Sequence, residues 1–147
     1  MGRVRRRRRR IYLPKELEAR MKKVVNQVRA AKKELHLVDY EIYSIAKLLG
    51  YTYIGKGVGD GAFEKDGIVI KSMYRAGKCP AFCKVPTMIV KGRDSYDCDI
   101  CVQPLCDLTG RQTALSMLRS LFGYYEPDDL HIRNVGWFNG QPVMFDW

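Results

Sequence analysis

Leu13, Leu17, Met21, Val24, Val25, Val28, Ala31 and Leu35 recur at intervals of three and four, which predicts one amphipathic helix over residues 14–35. Pro14 suits its first turn, where a missing N–H leaves no bond unmade. The other face is rich in Lys and Arg. Asp39 is placed to cap a second helix over residues 39–49, with Ile42, Ile45, Leu48 and Leu49 on one side and Gly50 at its end. After Gly50 the period drops to two. Tyr51 to Ile54, Phe63-Glu64 and Ile68 to Lys71 read as strands, the first two joined by a glycine-rich loop and the last two by a Lys65-Asp66-Gly67 turn.

Residues 72–86, with Gly77, Pro80 and Pro86, read as a loop, and Thr87 to Val90 and Asp99 to Gln103 as two strands around Gly92. A third helix opens at Thr109 or Gly110, shows Leu115, Leu118, Leu121 and Phe122 on one face and stops at Gly123. The last segment reads as a loop from Asp129, a strand at Val135 to Phe138, an Asn139-Gly140 turn and a strand at Pro142 to Phe145. The expected class is α+β: a small antiparallel sheet with helices ahead of it. Tyr124-Tyr125 and Trp137-Phe138 read as core or rim packing.

At 147 residues, 46% hydrophobic, 11% aromatic and 29% charged, the chain has the material for one core, which excludes a large multi-domain enzyme and a wholly disordered chain. The net charge of +10 is uneven: residues 1–35 hold 14 Lys and Arg against 3 acids, the remainder 12 against 13. Arg3, Arg5, Arg6, Arg7, Arg8, Arg9 and Arg10 form a block that repels itself unless an acidic partner screens it. Such an arm reads either as a solvated tail or localisation signal or as a phosphate-binding segment without sequence preference, for which nucleic acid or an acidic protein surface within a larger assembly is the expected partner. No run of apolar residues is long enough for a membrane span, and none follows the arginines as a signal peptide would require, so a cytoplasmic, non-secreted protein is expected.

Five cysteines in such a chain argue against a disulfide framework. Cys79, Cys83, Cys98 and Cys101 make two close pairs that suit tetrahedral zinc. Residues three apart in a strand point to opposite faces, however, so buried thiols are the favoured reading. His131 reads as a structural loop residue.

The stretch Asp129-Leu130-His131-Ile132-Arg133-Asn134, with Phe145-Asp146 a dozen residues on, resembles the catalytic loop and metal-binding segment of the protein-kinase-like superfamily. Its form is closer to aminoglycoside-phosphotransferase-like and small phage kinase-like proteins than to eukaryotic protein kinases. Upstream, Gly55, Gly57 and Gly59 are similar to a glycine-rich phosphate loop, and Ile68-Val69-Ile70-Lys71 to the strand whose lysine contacts phosphates. The resemblance implies ATP and Mg2+ as cofactors, Asp129 as catalytic base, Asn134 and Asp146 on the metal, Lys71 on the phosphates, and a hinge at residues 102–107 whose backbone at Gln103 and Leu105 meets adenine. Phosphoryl transfer needs a carboxylate near the acceptor hydroxyl and oxygen ligands that hold magnesium on the phosphates; a loop followed by a tight hairpin brings such side chains to one rim.

The sequence departs from the pattern in three places, the first being Pro127, which replaces the histidine or other residue that commonly stands two before the catalytic aspartate. There is no room between Lys71 and the hinge for the usual helix bearing a glutamate partner, which leaves Glu34 or Glu41 as candidates. The segments that ordinarily follow Asp146 are missing, so a clipped catalytic half is expected. The scheme is an arginine arm over 1–13, a helical extension over 14–49 and a kinase-like domain over 50–147. Two functions follow: a phosphotransferase that uses Mg-ATP, or an inactive, kinase-derived structural or nucleic-acid-associated protein, such as a phage virion or nucleoprotein component.

Overall fold

The apolar stripe of the first helix is buried as its spacing requires: Met21, Val24, Val25, Val28 and Ala31 lie on one side of α1, Lys15–Leu35. Glu16 and Glu18 in its first turn and Lys32 and Lys33 in its last complement the helix dipole. This computed structural model describes residues 10–35, 41–55, 61–73, 79–93 and 97–146. Helix α2, Glu41–Leu49, adds Ile42, Ile45 and Ala46 to the same core; the expected Asp39 cap lies outside the described residues.

Five strands follow: β1 (Thr52–Gly55), β2 (Ala62–Lys65), β3 (Ile68–Met73), β4 (Met88–Val90) and β5 (Asp99–Pro104). They form one antiparallel sheet in the order β1-β2-β3-β5-β4. Alternation sorts its side chains. Phe63, Ile68, Ile70, Val90, Ile100 and Val102 join the core with α1 and α2. Val69, Lys71, Met73, Cys101 and Gln103 occupy the opposite face and are also buried. The core is closely filled, with Met21, Ile45 and Ile70 fully enclosed. Truncating one of them to alanine costs about 2–5 kcal/mol.

Beyond the sheet come α3 (Arg111–Phe122), single 3-10 turns at Gly123–Tyr125 and Ile132–Asn134, and a hairpin of β6 (Val135–Phe138) and β7 (Gln141–Met144). The class is α+β, as the periodicities imply. The chain falls into two compact units: residues 13–76 with 87–105, and residues 1–12 with 77–86 and 106–147. The two N-terminal helices, expected as an extension, therefore share a unit and a core with the five-stranded sheet. The second unit has its own core of Cys83, Ala114, Leu115, Leu118, Leu130, Val135 and Met144. Among the described residues no helix is long and apolar enough to cross a membrane.

Candidate functional site

In the second unit, Leu130, Val135 and Met144 anchor a loop and a hairpin against Ala114, Leu115 and Leu118 of α3. Between Leu130 and Val135 the backbone closes on itself: Leu130 N–H donates to Pro127 O (3.0 Å), His131 N–H to Asp129 O (3.0 Å) and Asn134 N–H to His131 O (2.9 Å). These bonds turn the Asn134 side chain inward, where only 2% of the residue is exposed. Its Nδ2 donates to Asp129 O at 2.8 Å and lies 3.1 Å from His131 Nε2. Its Oδ1 is buried and accepts no hydrogen bond from any described residue. Buried polar atoms almost always have partners, so an open acceptor of this kind makes Asn134 Oδ1 a candidate ligand atom.

Phe145 N–H donates to Asn134 O at 3.0 Å, which fixes the chain leaving β7 beside the loop, and the next residue is Asp146, 6% exposed. Asp129 is exposed. The structure thus links Asp129, Asn134 and the Phe145-Asp146 segment by direct hydrogen bonds, and His131 belongs to the loop's framework.

Two supports escaped the sequence reading. Arg111 Nη2 donates to Arg133 O (2.7 Å) and its Nε to Val135 O (3.1 Å), the carbonyls on either side of Asn134, while its guanidinium lies 5.8 Å from the centroid of the Phe145 ring. The available signal was an arginine in the first turn of a helix, where the dipole disfavours a cation and another partner must compensate. Asp107 exchanges backbone hydrogen bonds with Trp137 (2.9 and 2.8 Å). That approach requires Gly136, because a Cβ there would sit 2.9 Å from Asp107 O. The Asp107 carboxylate accepts from Thr109 N–H at 2.9 Å, and this bond, with the Thr109 hydroxyl, holds its pKa below the ordinary aspartate value.

In the other unit, Gly55 ends β1 and Gly61 precedes β2. Gly61 has φ +93° and packs so closely on Tyr53 that a Cβ would stand 2.6 Å from its ring. Gly57 and Gly59 lie outside the described residues. Lys71 sits at the middle of the sheet, 5% exposed, paired in register with Ala62 and Cys101. It shares the face opposite α1 and α2, and Glu34 stands exposed on α1, so Glu34 is not its partner; the Glu41 side chain is outside the described set. Gln103 is buried and its Nε2 donates to Thr87 Oγ1 (3.1 Å). Leu105 has a half-exposed side chain, and its N–H is already engaged by Gly67 O (2.9 Å).

No family model, curated protein or solved structure matches this chain. The functional reading therefore rests on its own residues.

An amide oxygen with no hydrogen-bond partner among the described residues and a buried carboxylate twelve residues further along the chain are hard donors of the kind magnesium takes, and phosphates and waters would complete its shell. Among the described residues no three His, Cys, Asp or Glu come together in a metal-binding group. Cys79 and Cys83 belong to one unit, Cys98 and Cys101 to the other, and Cys101 is buried with its Sγ 2.9 Å from Met73 Sδ.

Of the arm, Arg10 is exposed, and Arg3 and residues 5–9 lie outside the described residues. Basic character continues along α1, where Arg20, Lys23 and Gln27 line a cleft of about 220 Å³ with Tyr51, Lys65 and Asp66. Tyr124 and Tyr125 are not core residues. Both are almost fully exposed and continue the partly exposed Met117 and Leu121 of α3.

Proposed function

We propose that this chain is a kinase-like protein that binds a magnesium–nucleoside triphosphate, with Asn134 Oδ1 and the Asp146 carboxylate as metal ligands. The observation that carries the reading is the buried, unpartnered Asn134 Oδ1, held in place by the Asp129 carbonyl and followed in space by Phe145-Asp146. The exposed Asp129 carboxylate would accept the proton of an acceptor hydroxyl. The resemblance gives Lys71 and the glycine segment at 55–59 to the phosphates; Lys71 is buried at mid-sheet, and Gly57 and Gly59 lie outside the described residues. The arginine arm and the basic face of α1 would dock the protein on nucleic acid or another acidic surface.

Thermal unfolding in millimolar Mg-ATP tests the nucleotide site. Preferential binding to the folded chain raises the melting temperature, and Asp146→Ala abolishes the rise. No rise for the intact chain would overturn the site. Asp129→Asn separates roles, since it should remove phosphoryl transfer and leave the thermal shift. For the arm, removal of residues 1–10 should flatten the salt dependence of nucleic-acid binding by several units of log–log slope, at roughly 0.9 per neutralised phosphate on duplex DNA.

A second reading, an inactive scaffold derived from the same fold, is favoured by one observation: the Leu105 N–H that the resemblance gives to adenine is bonded to Gly67 O. Phosphoryl transfer by the intact chain would exclude it.

A further inference from the structure

We propose that Cys79 and Cys83 form a thiol-modification site, a reactive dithiol that closes to an intramolecular disulfide when a low-molecular-weight disulfide such as oxidised glutathione reaches Cys79. The two residues bracket a short turn in which Cys83 N–H donates to Pro80 O at 3.2 Å. Their Sγ atoms stand 3.7 Å apart, so closure to a bond of about 2.05 Å needs a movement of about 1.7 Å, within reach of side-chain rotation in a turn.

Exposure and proton affinity differ between the two sulfurs, and both differences set the order of attack. Cys79 is partly exposed and Cys83 is fully buried. The hydrogen bond shared by the two thiols holds the Cys79 pKa below the usual cysteine value; burial opposes this and the Lys84 ammonium adds to it. The same bond and burial push Cys83 up, so Cys79, which is also the accessible sulfur of the two, is the one placed to attack first.

The Cys79 thiolate attacks one sulfur of oxidised glutathione, the glutathione S–S bond breaks, and one glutathione leaves as a thiolate that takes a proton from water. Cys83 then loses its proton and attacks Cys79 Sγ, releasing the second glutathione. Two protein thiols are oxidised and one glutathione disulfide is reduced to two thiols. Neither step requires a nucleotide.

The closure has a mechanical consequence. The Cys83 carbonyl accepts Met144 N–H at 2.7 Å and Val85 N–H donates to Met144 O at 3.0 Å, so the segment that carries the dithiol is stitched to β7 two residues before Asp146.

The experiment treats the native full chain with oxidised glutathione, quenches with acid, alkylates the remaining thiols and maps the peptides. The expected result is loss of Cys79 and Cys83 ahead of the partly exposed Cys98 and Cys106, with a cross-linked Cys79–Cys83 peptide. Cys83→Ser should stop at a glutathione adduct on Cys79, and Cys79→Ser should leave Cys83 unmodified. Faster reaction at Cys98 or Cys106, or a chain in which both residues stay reduced while those two react, overturns the proposal. Because Cys83→Ser alters a core position, the wild-type map alone is decisive if that variant does not fold.

Discussion

Replacing Asn134 with leucine, a side chain of similar branching, removes the chemistry of the loop without emptying the space it fills. The substitution deletes the 2.8 Å hydrogen bond to Asp129 O and the weaker contact with His131. A hydrogen bond of this kind contributes about 1 kcal/mol net, and both partners belong to exposed residues that water can re-satisfy. Against that loss, the substitution removes a buried acceptor with no partner, whose desolvation penalty is about 1–3 kcal/mol. The two terms nearly cancel. Leucine at 134 should therefore change unfolding free energy by no more than about 1 kcal/mol, within about 4 °C in melting temperature for a chain of this size. The same variant should lose the thermal shift produced by millimolar Mg-ATP. Differential scanning calorimetry with and without Mg-ATP reads both quantities. A loss above about 3 kcal/mol in the unliganded protein would refute the reasoning, because it would make Asn134 a structural keystone whose acceptor is satisfied.

Arg111→Ala removes two charge-assisted bonds to the carbonyls flanking Asn134, and with partial solvent compensation should lower stability by about 2–3 kcal/mol, measured by urea unfolding; a change under about 0.5 kcal/mol would mean water replaces the arginine fully. Lys32 and Asp97, 3.1 Å apart with side chains only 7% and 8% exposed, predict an asymmetry: Asp97→Ala removes the carboxylate that holds both Lys32 and Arg93 and should destabilise the chain more than Lys32→Met, after which Arg93 still holds Asp97 at 3.0 Å. Equal losses would contradict it. Asp107 has a folded-state pKa below its unfolded value, so its contribution is present above the unfolded value and lost as pH falls through the folded one; Asp107→Asn should flatten the acid limb of the stability–pH curve in that window, and an unchanged limb would rule the contribution out.

Much of the fold was legible because each element announces itself locally. The α1 stripe, the turn at Asp66-Gly67, where both residues have positive φ, and the Asn139-Gly140 turn, which does too, follow from spacing and turn chemistry alone. Asn134 was legible through its distance from Asp129 and Asp146, but its orphaned Oδ1 was not, since burial of one atom is a property of packing. Arg111 was missed because its bonds go to main-chain carbonyls more than twenty residues away, which leave no mark on the sequence. The Lys32–Asp97 pair was hidden too: a lysine on a basic helix reads as solvated, and its partner stands 65 residues further along the chain.

The interleaving of the two units along the chain governs how the protein can be made. The helix–sheet unit is interrupted by residues 77–86, which belong to the other unit, and β5 is the neighbour of β3 on one side. Until the ribosome has released residue 104, β3 is an edge: six residues, rich in β-branched side chains, with one flank of backbone donors and acceptors unpaired. A nascent or proteolysed chain that stops short of β5 therefore exposes a template for self-association, and no contiguous fragment consists of either unit alone, since any piece that spans the helix–sheet unit carries residues 77–86 with it. Expression trials of shortened chains should place every cut after Pro104 for the sheet and keep residues 77–86 with the C-terminal hairpin, where Val85 and Met144 pair.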